Sequence, residues 1–194
     1  MKKLFKITAL IAATVFACAF FGCSNGNSSD DNNSTTVSFD DCTTTVTEVS
    51  LADGNWTLKI TQSADGMSSE INIKATASNG SYTYKSGSGT ETVDLSKILE
   101  EEELAEFNAL SADEKKQTLI EEMNCPEDAT ITFNGNSVTI KASLSTEDLA
   151  AIQSAYDLSS IPSEAIIKTN SDKTKYTITL SDDGMTMVFY ISKD

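Results

Sequence analysis

Residues 56–75, which read WTLKITQSADGMSSEINIKA, carry the pattern that decides the fold. Apolar and polar side chains alternate over residues 56–61 and again over residues 71–75. A period of two is typical of a β-strand with one buried face and one wet face. Residues 64–67 lie between the two segments and contain Gly66, which adopts a positive φ at low cost. The stretch therefore predicts a β-hairpin.

Similar alternation recurs on both sides of this hairpin. Asn134-Gly135 and Asp183-Gly184 are turn signals, and each lies between two alternating segments. The further strands predicted in this way span residues 130–133, 137–140, 176–180 and 185–191, with shorter candidates at 43–51, 81–85 and 165–169. The outward positions are mostly Thr, Ser and Lys, which suits a sheet with one solvated face. We expect a β-rich α+β fold, with an antiparallel sheet or barrel of about eight strands.

Two helical insertions interrupt the strands, near residues 95–124 and 145–157. The first contains a capping box at residues 111–114 and should divide there into two helices, and Ser145 is the predicted N-cap of the second. The apolar residues predicted to pack are Leu104, Phe107, Leu119, Ile120 and Met123 in the first insertion, and Leu149, Ile152 and Tyr156 in the second. Because no Pro/Gly-rich linker divides residues 37–194, we expect one β-rich domain there.

The chain begins with MKKLFKITALIAATVFACAFFGC, in which a lysine-containing start is followed by an apolar run over residues 10–21. That run is too short to span a bilayer comfortably, so residues 1–22 are predicted to be a signal peptide. Gly22-Cys23 resembles the lipobox of bacterial lipoproteins, which signal peptidase II cleaves before the cysteine. Phe20 stands where most lipoboxes carry Leu, which is similar to the relaxed boxes of spirochaetes and some other low-GC diderm bacteria. The other interpretation is ordinary secretion, with cleavage a few residues earlier.

The lipoprotein resemblance implies that Cys23 is acylated, for example with palmitate. Lasting attachment needs more than one acyl chain, because a single chain binds a membrane only marginally. We expect the mature protein to be lipid-anchored in the cell envelope, at the outer membrane, with the periplasmic and the external side both left open. Residues 24–36, SNGNSSDDNNSTT, contain no apolar residue and should form a disordered tether that reaches roughly 20 Å.

Charge and composition exclude several classes of function. The chain has 29 acidic residues against 14 basic ones, a formal charge of −15, and every basic residue is a lysine. Without His there is no Ser-His-Asp or Cys-His relay and no imidazole metal ligand. Without Arg there is no guanidinium fork to clamp a phosphate. Because an acidic surface repels phosphates, nucleic acid is not expected as a partner.

The acidic clusters that could carry chemistry each have a simpler interpretation. Glu100–Glu103 and Glu106 lie on a predicted helix, where consecutive side chains point about 100° apart and do not converge on a metal. The Asp-Gly pairs lack the ligand spacing of a calcium loop. Nothing in the sequence selects a pair of carboxylates for glycoside hydrolysis. We expect no enzymatic activity, no metal and no cofactor.

The chain has four cysteines, and two of them belong to the N-terminal segment. Cys18 would leave with the signal peptide and Cys23 is the lipidation site, so Cys42 and Cys125 remain in the domain. In an exported protein these two could form a disulfide, which would close a loop of about 80 residues and stabilise the fold by roughly 4 kcal/mol. They could equally be two buried thiols, and the sequence leaves both alternatives open.

Gly54-Asn55-Trp56 opens a predicted strand and resembles the G-x-W signature of lipocalins and of lipocalin-like bacterial lipoproteins. That resemblance implies an antiparallel barrel that holds a small apolar ligand in its mouth. Trp56 would pack at the closed end. The residues that would line the barrel are Leu58, Ile60, Ile71 and Ile73. The alternative is that Trp56 is simply a core aromatic residue.

Together these features predict a lipid-anchored protein of the cell envelope with a binding or protein-interaction role. Its expected partners are the membrane, through the lipid, and either a protein that meets its acidic surface or a small apolar ligand. A lipocalin-like carrier is the alternative function. A hydrolase that uses only carboxylates is the third hypothesis, and it would require two buried carboxylates facing each other across a cleft.

Overall fold

The computed structural model describes residues 39–64, 66–123, 129–182 and 185–194. The predicted signal peptide, the predicted lipidation site Cys23, the predicted tether and Cys125 lie outside these residues. Among the helices within the described ranges, none is long and apolar enough to cross a membrane.

Nine strands in the described part of the chain form one antiparallel sheet. They are β1 Thr44–Val46, β2 Gly54–Ala64, β3 Met67–Ser78, β4 Ser81–Asp94, β5 Thr130–Asn134, β6 Ser137–Ser143, β7 Ile166–Thr169, β8 Lys175–Asp182 and β9 Met185–Lys193. Their order across the sheet is β1-β7-β8-β9-β2-β3-β4-β6-β5. The β-rich α+β class is confirmed, with nine strands instead of about eight. The sheet is open and not a barrel, because the edge strands β1 and β5 lie at its opposite ends.

The hairpin predicted from residues 56–75 is the β2–β3 pair at the centre of the sheet. Leu58 pairs with Ile73 and Ile60 with Ile71, so four apolar side chains share one face. Gly66 in the turn has a φ of 74°, as the turn requires. Strand β4 is much longer than the predicted segment 81–85. The sequence did not reveal the rest of the strand, because that part contains glycine and serine and has no apolar alternation.

Four helices in the described residues are α1 Leu95–Ile98, α2 Glu101–Ala109, α3 Ala112–Met123 and α4 Thr146–Ala155. The break predicted at residues 111–114 separates α2 from α3, and Ser111 and Glu114 form the reciprocal capping bonds. Ser145 Oγ accepts from the backbone N–H of Asp148 at 3.1 Å, which caps α4. The short α1 was not expected from the sequence, because four residues do not show a helical period.

Both helical insertions cover the same face of the sheet. The register places Val93 beside Met67, and Met67 shares its face with Ile71 and Ile73. Helix α4 packs on this face with Leu149 and Ile152, both buried. Helices α1–α3 pack on it farther along, and their buried residues are Leu95, Leu99, Phe107 and Leu119. The domain therefore has two layers, a sheet and a helical layer, and the second face of the sheet carries no helix in the described residues.

Gln153 of α4 covers part of the edge of β4. Strand β6 pairs only with residues 88–94 of β4, so the first half of β4 has no strand from the described part of the chain on that side. The Gln153 amide donates to the Tyr82 carbonyl and accepts from the Tyr84 backbone N–H, each at 3.1 Å. One side-chain amide thus satisfies a donor and an acceptor that a neighbouring strand would otherwise pair.

Candidate interaction surface

The face of the sheet opposite the helical layer, called the open face below, consists of the alternate strand residues that point away from the core. On β2, Thr57, Lys59 and Thr61 belong to it, because the residues between them are buried. A row of hydroxyl side chains crosses seven strands of this face in register, namely Ser181, Thr186, Ser63, Ser68, Thr92, Thr139 and Thr132. Neighbouring strands lie about 4.8 Å apart, so the row presents hydrogen-bonding groups at a regular spacing across the sheet.

Five lysines of the described residues lie on the open face by register, namely Lys59, Lys74, Lys141, Lys168 and Lys175. Lys59 binds Glu70 at 2.6 Å and Lys74 binds Asp194 at 3.2 Å. Lys141 and Lys168 are exposed, and neither makes an ion pair with another described residue. The carboxylates on the same face are Glu70 and, by register, Asp94, together with Asp194 and Asp41, which bind its lysines. The face is therefore close to neutral, although the chain as a whole is strongly acidic.

Glu70 lies on β3 within the open face and is held by two neighbouring side chains, Lys59 and Asn72. Partial burial disfavours its charged form, but hydrogen bonds from Lys59 and Asn72 outweigh that effect and lower the pKa of Glu70. The carboxylate therefore stays ionised, and its charge is neutralised mainly by Lys59.

Residues 39–43, called the N-terminal strap below, cross the open face before the chain enters β1. Phe39 packs edge-on against Tyr190 of β9, with ring centroids 5.8 Å apart, and Tyr190 is only 6 % exposed. Lys175 Nζ lies 5.4 Å from the centre of the Phe39 ring and binds Asp41 at 2.8 Å. That hydrogen bond lowers the pKa of Asp41. The first described residues therefore lie on the open face, against the inner strands β8 and β9.

The five residues predicted to line a ligand site are brought together, but in the core beneath the helices. Trp56 and Leu58 are 0 % exposed, Ile60 and Ile73 are almost fully buried, and Ile71 packs against them. They belong to one cluster with the buried side chains of α4. The lining role implied by the lipocalin resemblance stays a prediction, and the packing is that of a hydrophobic core.

A small pocket opens at the end of this core, near the β3–β4 turn. Its volume is about 130 Å³, and it is lined by Val49, Ser50, Leu51, Gly80, Ser81, Tyr82, Leu158 and Ser159. The Tyr82 hydroxyl donates to Asp157 at 3.1 Å and accepts from the Leu158 backbone N–H at 2.8 Å. Burial, reinforced by the neighbouring Asp157, raises the pKa of Tyr82 to about 12. The hydroxyl is therefore neutral at physiological pH and fixes the 157–158 turn.

The acidic residues are concentrated on the helical layer. Glu101, Glu102 and Glu106 of α2 are exposed, as are Asp113 and Glu114 of α3. The run 100–103 is a solvated helix face, as expected, and Glu103 reaches back to the Glu100 backbone N–H at 3.2 Å. In the described ranges no group of three or more His, Cys, Asp or Glu residues is arranged to hold a metal ion.

Cys42 is buried in the N-terminal strap and 7 % exposed. Burial and the nearby Asp41 carboxylate raise the pKa of its thiol. Because Cys125 and Cys23 lie outside the described residues, the disulfide and the lipidation both stay predictions.

Comparison with protein-family models, with curated proteins and with solved structures gives no match. The candidate surface therefore has to be judged from its own chemistry.

Sequence reasoning did not single out the open face, although a signal for it exists. Lys59 and Lys74 both occupy the polar positions of alternating segments, so their shared face could have been read from the period of two. The contribution of Lys168 and Lys175 could not, since it depends on β8 and β9 pairing next to β2.

Proposed function

We propose that this chain is a lipid-anchored cell-envelope protein of a diderm bacterium, and that its β-domain is a binding module and not an enzyme. The domain meets its partner through the open face. The observation that carries this proposal is the sheet face that no helix of the described residues covers, which presents lysines and a seven-residue hydroxyl row on the side opposite the acidic helices.

We assign the partner to the open face and not to the acidic surface that the net charge of −15 suggested. The reason is that the charge is unevenly distributed over the domain. Acidic residues of α2 and α3 lie on the helical layer, where they solubilise the domain. A broad sheet face with aligned donors and acceptors offers many simultaneous contacts, and its lysines select a partner that carries negative charge.

The carrier alternative has less support than the binding surface. Small-molecule sites usually enclose about 300–1,000 Å³. The pocket beside Tyr82 has only about 130 Å³, and the Trp56 hairpin is packed against other side chains. An acyl chain would need space that the core residues occupy.

Metabolic labelling with radioactive palmitate tests the anchor. We expect the wild-type chain to be labelled and the Cys23→Ala chain to lose the label, because only a cysteine at the lipobox position is acylated in bacterial lipoproteins. The matched control is Cys18→Ala, which changes a cysteine of the signal peptide and should keep the label. A Cys23→Ala protein that still takes up palmitate would refute the site.

Site-specific photo-cross-linking in intact cells tests the binding face. A photoreactive residue is placed at Ser68 or Thr132, both exposed on the open face, and for comparison at Ala150 or Ala151, both exposed on α4. We expect adducts from the open-face positions and few or none from α4. Equal labelling at all four positions, or labelling from α4 alone, would contradict the proposal.

A further inference from the structure

We propose that the partner of the open face is an anionic membrane surface, so that the anchored domain lies with this face on the lipid headgroups and its helical layer turned away. This inference rests on the proposed function, of which it names the partner. It follows from two independent features, the position of the strap and the separation of charge between the two layers.

The N-terminal strap determines which face is nearest the anchor. Phe39 is held on Tyr190 by the edge-on ring contact, and Asp41 is held by Lys175. The 38 residues before Phe39, which include the predicted lipid site, are therefore joined to the domain on the open face. Because the attachment point lies on the open face, this face is nearer the anchor than the helical layer is.

The charge distribution favours the same orientation. Five lysines lie on the open face, where three carboxylates pair with them, those of Glu70, Asp194 and Asp41. Asp94 lies on the same face by register, so the face is close to neutral. The exposed acids of α2 and α3 lie on the opposite layer. Anionic headgroups attract lysines near their surface and repel carboxylates, so this separation of charge turns the molecule although its net charge is negative.

The side chains around Lys141 and Lys168, which form no ion pair with another described residue, also suit a headgroup layer. Ile166 is 54 % exposed and lies beside Lys168 on β7, with its side chain on the open face. An aliphatic side chain next to a lysine can enter the interfacial region while the ammonium group stays at the phosphates. Threonine and serine hydroxyls can hydrogen-bond to phosphate oxygens without the desolvation that a buried charge requires.

The anchor lowers the affinity that such docking needs. A short flexible tether holds its cargo at an effective concentration in the millimolar range. A face that is close to neutral, on a molecule whose other layer is acidic, can therefore be docked most of the time, although the same domain free in solution would bind vesicles weakly.

Lysine acetylation followed by mass spectrometry tests this orientation on the wild-type, lipidated full-length chain. The chain is inserted by its lipid into vesicles of phosphatidylcholine alone or of phosphatidylcholine mixed with phosphatidylglycerol, and N-hydroxysuccinimidyl acetate is added. On the anionic vesicles we expect acetylation of Lys141 and Lys168 to slow about threefold, which corresponds to a docked population of about two thirds. Lys97 and Lys116 of the helical layer should react at the same rate on both vesicles.

Salt and matched variants complete the test. The protection should disappear at 1 M NaCl, where the screening length is only about 3 Å. In a Lys141→Gln/Lys168→Gln chain Lys74 should lose its protection, whereas Lys97→Gln/Lys116→Gln, with the same change of charge, should keep it. Equal rates on both vesicles, or protection of the helical lysines instead, would overturn the inference. If cross-linking from Ser68 then still gave protein adducts in cells, the binding face would stand and its partner would be an acidic protein.

Discussion

Trp56→Ala is expected to destabilise the domain by about 3–5 kcal/mol, as large-to-small changes at a buried tryptophan do. The indole is 0 % exposed, its ring centre lies 6.3 Å from that of Tyr176, and its Nε1–H donates to the Ala52 carbonyl at 2.9 Å. The substitution leaves a cavity at the centre of the sheet and removes a hydrogen bond that holds the loop before β2. Guanidinium denaturation followed by circular dichroism measures the loss, because the variant has no tryptophan to report by fluorescence.

Trp56→Phe is the matched control. It keeps most of the aromatic volume and loses the Nε1–H donor, so we expect a smaller loss of about 1–2 kcal/mol. If the free energy of unfolding of the alanine variant lay within about 1 kcal/mol of the wild-type value, tight packing at this site would be contradicted, because buried core substitutions usually cost more. That result would instead favour the carrier function, in which the Trp56 region borders a ligand space.

Gly87→Ala is expected to cost about 1–3 kcal/mol, the usual range for an overpacked site. A Cβ at this position would lie 2.8 Å from the Asn72 carbonyl oxygen and 2.8 Å from Leu144 Cδ1, with Leu149 Cδ2 at 3.3 Å. The backbone oxygen cannot move without disturbing the β3–β4 pair, and Leu144 is fixed by its backbone hydrogen bond to the Gly87 carbonyl. Thermal or chemical unfolding of the purified chain measures the change.

Gly89→Ala provides the comparison on the same strand and the same face. The nearest atom to its added Cβ is Leu144 Cδ2 at 4.0 Å, so the methyl group has room. Because glycine within a strand is entropically unfavourable, we expect no loss and up to about 1 kcal/mol of gain. Equal effects of the two substitutions would show that the close approach of Leu144 to Gly87 is not what stabilises this site.

The local features of the fold could be predicted because they follow from a few residues. The turn around Gly66 is set by one positive φ, and the cap of α4 by Ser145 and its partner three residues later. Alternation in β2 and β3 then decides which side chains are buried. Each of these signals lies within one short segment, where sequence pattern and backbone geometry correspond directly.

The remaining features depend on residues far apart in the chain. The extension of β4 runs through Gly87 and Gly89, which weaken any strand pattern. Leu144 packs against both glycines and Leu149 against Gly87, and both leucines lie more than fifty residues later in the sequence. The strap depends on Phe39 meeting Tyr190, which lies about 150 residues later in the sequence. One face of the sheet carries no helix from the described residues, because both helical insertions pack on the other face. No local sequence pattern shows on which side an insertion packs.

The amide of Gln153 has a consequence for copies of this chain that meet at high concentration. An uncovered strand edge is a template to which another copy of the chain can add a strand. Here one polar side chain occupies the place of the next strand beside Tyr82 and Tyr84, so these two backbone groups are already paired and do not invite a strand of a neighbouring molecule. A single glutamine thus hinders one route by which copies of this β-protein could associate edge to edge.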